Sequence, residues 1–204
     1  QPNNPRTVED WKAVLDAVVA KQGVFNLVFH PHNWIRGDQV VQLIDYAEKT
    51  YGSKVKFLNF REAAERINEH LIAGQPLRAA DGSDNGVRLL DLNHDGFLDV
   101  VIGNEKLRQT RIWDPKSNAW QETDFPISLV SRNEKNQTVD AQARFGIVGP
   151  RQSPVVLVRN EETSGGWRFE DSRWVEDDRL LAGLELDGEP IFTGRGGIDR
   201  GVRL

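Results

Sequence analysis

Apolar positions follow two different rhythms on either side of about residue 74. Before it, Trp11, Val14, Leu15, Val18 and Val19 recur at helical spacing, and Thr7 with Asp10 resembles a capping box. Residues 8–22 are therefore predicted to form an amphipathic helix, ended by Gly23. The run Val24-Phe25-Asn26-Leu27-Val28-Phe29 is short, apolar and rich in β-formers, which predicts a buried parallel strand. Val40, Leu43, Ile44 and Ala47 share one face of a second helix closing near Gly52, and Val55, Phe57 and Leu58 predict a second strand. Asn59 and Glu62 then cap a third helix carrying Ala63, Ile67 and Leu71. The α-β-α-β-α order implies parallel strands joined by crossover helices. Two strands make no stable sheet, so this unit is expected to need further strands.

After Gly74 the texture changes to short β-like runs punctuated by Gly, Asn, Asp and Pro. Candidate strands are Val87 to Leu90, Leu98 to Ile102, Gln109 to Trp113, Ala119 to Thr123, Arg144 to Val148, Val155 to Arg159 and Gly166 to Glu170. A spacing of roughly 8–12 residues between strands, with a longer echo, predicts antiparallel blades of a β-propeller. The echo is Asp84, Gly86, Val87, Arg88 and Leu89, which reappear as Asp199, Gly201, Val202, Arg203 and Leu204. The expected fold class is an α/β fragment, the last βα units of a barrel, over residues 1–73, followed by an all-β part. The polar stretch 74–83 is the expected linker, and 84–204 the expected partial β-propeller of about two blades.

Composition narrows the chemistry. A net charge of −5 argues against a nucleic-acid partner, which would draw on clustered Lys and Arg. No apolar run reaches the ~20 residues of a membrane helix, so no membrane span is expected. With no cysteine, neither disulfides nor thiolate metal sites can form. The chain contains no methionine and opens on Gln1, which is read as a piece of a longer protein.

The segment Asp91-Leu92-Asn93-His94-Asp95-Gly96-Phe97-Leu98-Asp99 carries the sharpest chemical signal. Asp91, Asn93, Asp95 and Asp99 place oxygens at positions 1, 3, 5 and 9, Gly96 supplies the turn, and the Phe97 carbonyl is the expected fifth protein ligand. This pattern suits a hard cation, Ca²⁺, and three crowded carboxylates would make the empty loop costly. The plain alternative is a polar hairpin turn, which Asx residues also favour. The absence of a Glu at position 12 and the flanking strand patterns argue against a helix-loop-helix calcium site. His94, between ligand positions, is read as surface. Such loops resemble those of the FG-GAP or VCBS repeats of integrin-like β-propellers, well over residues 81–125 and weakly to Leu204. No second acidic loop lies between Asp140 and Asp187, so a blade there is expected to bind no metal.

The other signal is His30-Pro31-His32-Asn33-Trp34, at the end of the first predicted strand, where parallel sheets and barrels place their active sites. Polar residues merely closing a strand are the alternative. The stretch from Trp11 to Asn68, with Leu27-Val28-Phe29-His30, Pro31, Lys56-Phe57-Leu58 and Phe60-Arg61-Glu62-Ala63, resembles the C-terminal end of a polysaccharide deacetylase domain of the NodB type. That resemblance implies a zinc-like divalent metal held by residues ahead of this segment, polarising an acetyl carbonyl and activating water. It also implies His30 as the general acid that protonates the departing group. His32 and Trp34 have no counterpart in it, and the family's Asp and paired-His motifs would lie upstream, so this segment alone is expected to be inactive.

Two functions follow as expectations. One is an exported carbohydrate deacetylase carrying a Ca²⁺-binding propeller. The other is a Ca²⁺-stabilised adhesion or binding module whose α/β part is not catalytic. Either expects a glycan or extracellular protein as partner and a secreted, periplasmic or cell-surface location. Trp113, Trp120, Trp167 and Trp174 are read as filling space between blades in preference to stacking on sugar rings. Glu176-Asp177-Asp178 is read as a solvated turn, and Gly194, Gly196 and Gly197 lack the context of a phosphate loop.

Overall fold

A computed structural model describes residues 4–30, 34–150 and 152–204. The chain separates into two compact units, 1–63 and 64–204. It is a mixed structure, with a few helices followed by many antiparallel strands in small sheets.

In the first unit, α1 spans Thr7–Ala20 and α2 spans Gly37–Tyr51. They pack through Leu15, Leu43 and Ala47, with Trp11, Val19, Phe25, Leu27, Tyr46, Tyr51 and Val55 around them. The Tyr46 and Tyr51 hydroxyls both donate to the Asp16 carboxylate, at 2.9 and 2.6 Å, tying α2 to α1. Donating to that anion, with burial adding, pushes the Tyr51 phenol up to about 12. Thr7 is not the cap that the sequence suggested. Arg6 is already in a helical conformation and precedes it as N-cap without a side-chain bond, so Thr7 falls inside the helix.

The two expected parallel strands are absent among the described residues, since 23–30 and 55–59 lie outside regular structure. Phe25 and Leu27 alternate inward against the helices, but Val24 and Val28 are 66% and 80% exposed. A strand is defined by a hydrogen-bonded neighbour, and none of the described segments supplies one. The third helix is capped as anticipated: Asn59 Oδ1 accepts from Glu62 N–H at 3.0 Å, and Glu62 Oε2 accepts from Asn59 N–H at 2.8 Å. This α3, Phe60–Arg66, runs into a π-helical turn at Ile67–Leu71.

The second unit is built from two four-stranded antiparallel meanders. The first orders β1 (Val87–Leu90), β2 (Asp99–Gly103), β3 (Arg108–Asp114) and β4 (Ala119–Asp124). A short hairpin follows, β5 (Val130–Arg132) with β6 (Thr138–Asp140). The second meander orders β7 (Arg144–Val148), β8 (Ser153–Arg159), β9 (Ser164–Glu170) and β10 (Arg173–Glu176). Two-residue pairs complete the chain, β11 (Glu185–Leu186) with β12 (Glu189–Pro190) and β13 (Gly194–Arg195) with β14 (Ile198–Asp199). No closed barrel or complete propeller is formed by the described residues.

Side chains on β2 alternate between two cores, as the pleat requires. Val101 joins Ile112, Phe125, Ile127 and Leu129 against Val156, Val158 and Phe169 of the second sheet, with Phe145, Trp167 and Trp174 packed around them. Val100 and Ile102 point the other way and meet Ile67, Leu71 and Ile72 from the π-helical turn. Trp120 Nε1 donates to the His70 carbonyl at 2.9 Å, and Arg111 donates to the Leu71 carbonyl, so the sheet satisfies the helix end that it covers. Trp167 and Trp174 thus fill the space between sheets, whereas Trp113 and Trp120 pair across β3 and β4 at 5.0 Å. The stretch 74–83 is folded onto the first repeat: Asn85 donates its side-chain amide to the Pro76 carbonyl, and Asn104 donates to Gln75.

The two meanders are copies. Asp84 Oδ1 accepts from Gly86 N–H at 2.7 Å, Asp140 Oδ1 from Gln142 N–H at 2.6 Å and Asp199 Oδ1 from Gly201 N–H at 2.7 Å. Gly86, Gln142 and Gly201 all hold a left-handed backbone, with φ of 65°, 61° and 82°. Asn104 after β2 and Asn160 after β8 both accept two loop N–H groups and both donate to a carbonyl of their own turn, that of Asn85 and that of Ala141. Leu129 donates to Gly103 and accepts from Ala141, just as Thr193 donates to Arg159 and accepts from Arg200. The offset is 56 residues from Asp84 to Asp140 and 59 from Asp140 to Asp199.

Arginines fasten one copy to the next. Arg88 grips Asp84 through two nitrogens, at 2.9 and 2.8 Å, and reaches Asp140 at 2.9 Å. Arg144 reaches Asp199 at 2.5 Å, and Arg203 grips Asp199 at 3.1 and 2.9 Å. Burial alone would raise Asp84, but Arg88 and the Gly86 N–H outweigh it and hold the carboxyl below the usual range. Asp199 is lowered chiefly by its bond from Arg203, and Asp177 by its bonds from Arg179 and Arg168.

Arg88→Ala removes the fork and leaves two carboxylates facing each other, and is expected to cost about 1–3 kcal/mol of stability in chemical denaturation. Arg88→Lys should recover less than half of the loss, because an ammonium cannot fork. The lowered carboxylates give stability that is complete above the ordinary carboxylate range and is lost as pH falls through it towards their depressed values. Unfolding midpoints measured between pH 6 and pH 2.5 should therefore fall with acid, and fall less steeply in Asp177→Asn.

Candidate metal centre

The segment that the sequence marked for Ca²⁺ forms the connection from β1 to β2, in the register Leu90 opposite Asp99. Asx bonds wind it. Asn93 Oδ1 accepts from Asp95 N–H at 3.1 Å, Asp95 Oδ1 from Phe97 N–H at 2.8 Å, and Asp91 Oδ2 from Gly96 N–H at 3.0 Å. The winding needs left-handed backbone at His94, with φ of 59°, and at Gly96, with φ of 83°. Asn93 Nδ2 donates to Asp95 Oδ2 at 2.9 Å.

Asp99 is fully buried, with its Oδ2 accepting from Leu92 N–H at 2.8 Å and its Oδ1 from Trp113 N–H at 2.9 Å. Burial pushes its carboxyl up, the two N–H groups pull it down, and Asp95 and Asp91 add like-charge repulsion; the net direction is up. Asp99 thus closes the base of the loop and joins it to β3, a positioning task that the spacing alone did not reveal.

Asp91 carries the observation that bears on a cation. Its Oδ1 is buried and has no hydrogen-bond partner, the one buried side-chain oxygen or nitrogen of this kind among the described residues. A carboxylate oxygen withdrawn from water and left bare is costly unless a positive charge meets it. The same loop carries the Asn93 amide, Asp95 and the Phe97 carbonyl, oxygen donors of the kind a hard divalent ion takes. The donor set therefore fits Ca²⁺. Among the described residues no group of three or more His, Cys, Asp or Glu side chains is gathered as a metal cluster, in keeping with Asp99 turned to the backbone and Asn93 supplying an amide.

The second sheet offers no equivalent. The turn between β7 and β8 falls on Gly149 and Pro150 and carries no carboxylate among its described residues.

The other sequence-marked residue, His30, is exposed and meets Trp34 edge-on at 4.5 Å between ring centroids. Pro31, His32 and Asn33 lie outside the described residues. Among the described residues His30 belongs to no group of three or more His, Cys, Asp or Glu side chains able to hold a metal ion.

No protein-family model, curated protein or solved structure matches this chain. No described helix is long and apolar enough to cross a membrane.

His94→Gly relieves a left-handed β-carbon at an exposed position of the loop. The variant is expected to keep any Ca²⁺ response and to change metal-free stability by no more than about 1 kcal/mol in thermal unfolding.

Proposed function

We propose that residues 84–204 form a Ca²⁺-binding tandem-repeat module of the β-propeller type, working as an adhesion or recognition surface on an exported protein. The observation that carries the reading is the buried, unpartnered Asp91 Oδ1 in a loop that also carries Asn93, Asp95 and the Phe97 carbonyl. The repeat supports it: equivalent turns, asparagines and pinned crossovers recur from the first meander to the second, as successive blades of a propeller would require. When bound, the ion supplies charge neutralisation and loop closure. Asp91, Asn93, Asp95 and the Phe97 carbonyl would hold it, while Asp99 keeps the loop base in register. Extracellular-type Ca²⁺ levels suit such a site, and a glycan or an extracellular protein is the partner class proposed.

Calorimetric titration of the metal-free chain should show one Ca²⁺ per chain with Mg²⁺ much weaker. At free Ca²⁺ a hundred times the dissociation constant, stability should rise by about 2.7 kcal/mol. Asp91→Asn, which keeps shape and removes charge, should abolish both effects; full retention of them in that variant overturns the reading.

A second reading, that residues 1–73 end a NodB-type deacetylase domain with His30 as general acid, is favoured by one feature. The stretches 24–29 and 55–60 leave Val24, Val28, Phe29, Phe57, Leu58 and Phe60 in solvent, apolar side chains of the kind that the covering helices of a parallel sheet would bury. Its test is the coding sequence upstream: an Asp-Asp pair and a His-x-x-x-His motif are expected there, and a stretch of some 150 residues lacking both removes it.

A further inference from the structure

The second residue of the acidic loop does not face solvent with its neighbours. Leu92 is 4% exposed and belongs to the apolar cluster that joins the two sheets, together with Val101 and Ile112 from the first and Val156, Val158 and Phe169 from the second. Its N–H is held by Asp99, whose other oxygen holds Trp113 N–H on β3. Further along β3, the buried Thr110 Oγ1 accepts from Trp174 Nε1 of β10 at 2.8 Å, so the same strand is bonded across to the second sheet. Leu92 is flanked on both sides by oxygen donors, Asp91 and Asn93.

We propose that Ca²⁺ at this loop regulates the contact between the two repeats: by fixing Asp91 and Asn93, the ion seats Leu92 in the shared core and so sets how firmly the second sheet is held. This rests on the Ca²⁺ reading given above and adds where its binding energy goes. An ion that binds only the wound loop stabilises every element that must be in place for the loop to stay wound. A side chain shared with the neighbouring sheet makes that sheet one of those elements. The equivalent turn of the second repeat, between β7 and β8, carries no carboxylate among its described residues, so the ion acts from the first sheet on the second. Residues of α2 make their core with α1.

Native-state amide exchange of the full chain tests this, with Ca²⁺ at a hundred times the calorimetric dissociation constant against chelator. Amides of Val156 and Val158 should slow on the order of a hundredfold, the linkage limit, while those of Leu43 and Ala47 stay unchanged. In Leu92→Ala, Ca²⁺ should still bind within about tenfold of the parent affinity, since no ligand atom is lost, but the β8 amides should no longer respond. Should that variant fail to fold, Leu92→Val, one methylene shorter, should give a response between the two. Calorimetric binding with slowed loop amides but unaltered β8 amides overturns the coupling and leaves the site standing. An equal β8 response in parent and Leu92 variants also overturns it, because the stabilisation would then be global. Absence of calorimetric binding removes the Ca²⁺ reading itself and the coupling with it.

Discussion

Both faces of a four-stranded sheet must be covered, and most of the second unit follows from how that is done. Val101 and Val100 are adjacent on β2, both fully buried, and point into different cores. One face is met by the second sheet and the other by the π-helical turn around Ile67 and Ile72. Burying a Val or Ile side chain contributes roughly 1.5–3 kcal/mol, whereas the exposed ion pairs on these edges contribute roughly 0–1 each. Apolar cover therefore supplies the cohesion. The Asp–Arg clasps decide which turn meets which, since a forked guanidinium accepts few geometries.

The same constraint separates the two units. Residues 24–29 and 55–58 are as apolar as β2 and β8, yet they form no sheet, and several of their side chains stay in solvent. Composition prepares a segment for a strand, but only a neighbour at hydrogen-bonding distance makes it one. β1 to β4 find their neighbours within a few residues through short turns, and a meander can assemble from local sequence alone. A parallel pair needs its partner from across a helix, and here the described residues present no such partner.

This difference explains what could be read from the chain. The strands β1, β7 and their neighbours were visible because alternation and turn residues are local signals, and the Asn59–Glu62 cap was visible for the same reason. The middle copy of the repeat was not, because Gln142 stands where Gly86 and Gly201 stand, and a motif read through its glycine misses it. The recoverable signal was Asp and Arg four apart, at Asp84 with Arg88, Asp140 with Arg144 and Asp199 with Arg203, reinforced by Asn104 and Asn160 at the same offset. The hairpin β5–β6 and strand β10 are too short and too polar to show a rhythm. At the acidic loop, spacing named the oxygens but not their division of labour, since whether a carboxylate faces an ion or a backbone N–H is a matter of three dimensions.

That division of labour has an electrostatic logic. Asp99 sits deepest, and burial raises its carboxyl, so its charge is tolerated only while Leu92 and Trp113 N–H groups serve it. Asp91 lies nearer the surface and spends one oxygen on Gly96, leaving the other bare. Asp95 and Asp91 both act on Asp99 as like charges, and a divalent cation among them would add attractions that offset that repulsion. Leu92, between Asp91 and Asn93, carries this loop into the core between the sheets, so the electrostatics of the loop and the packing of the two repeats meet at one residue.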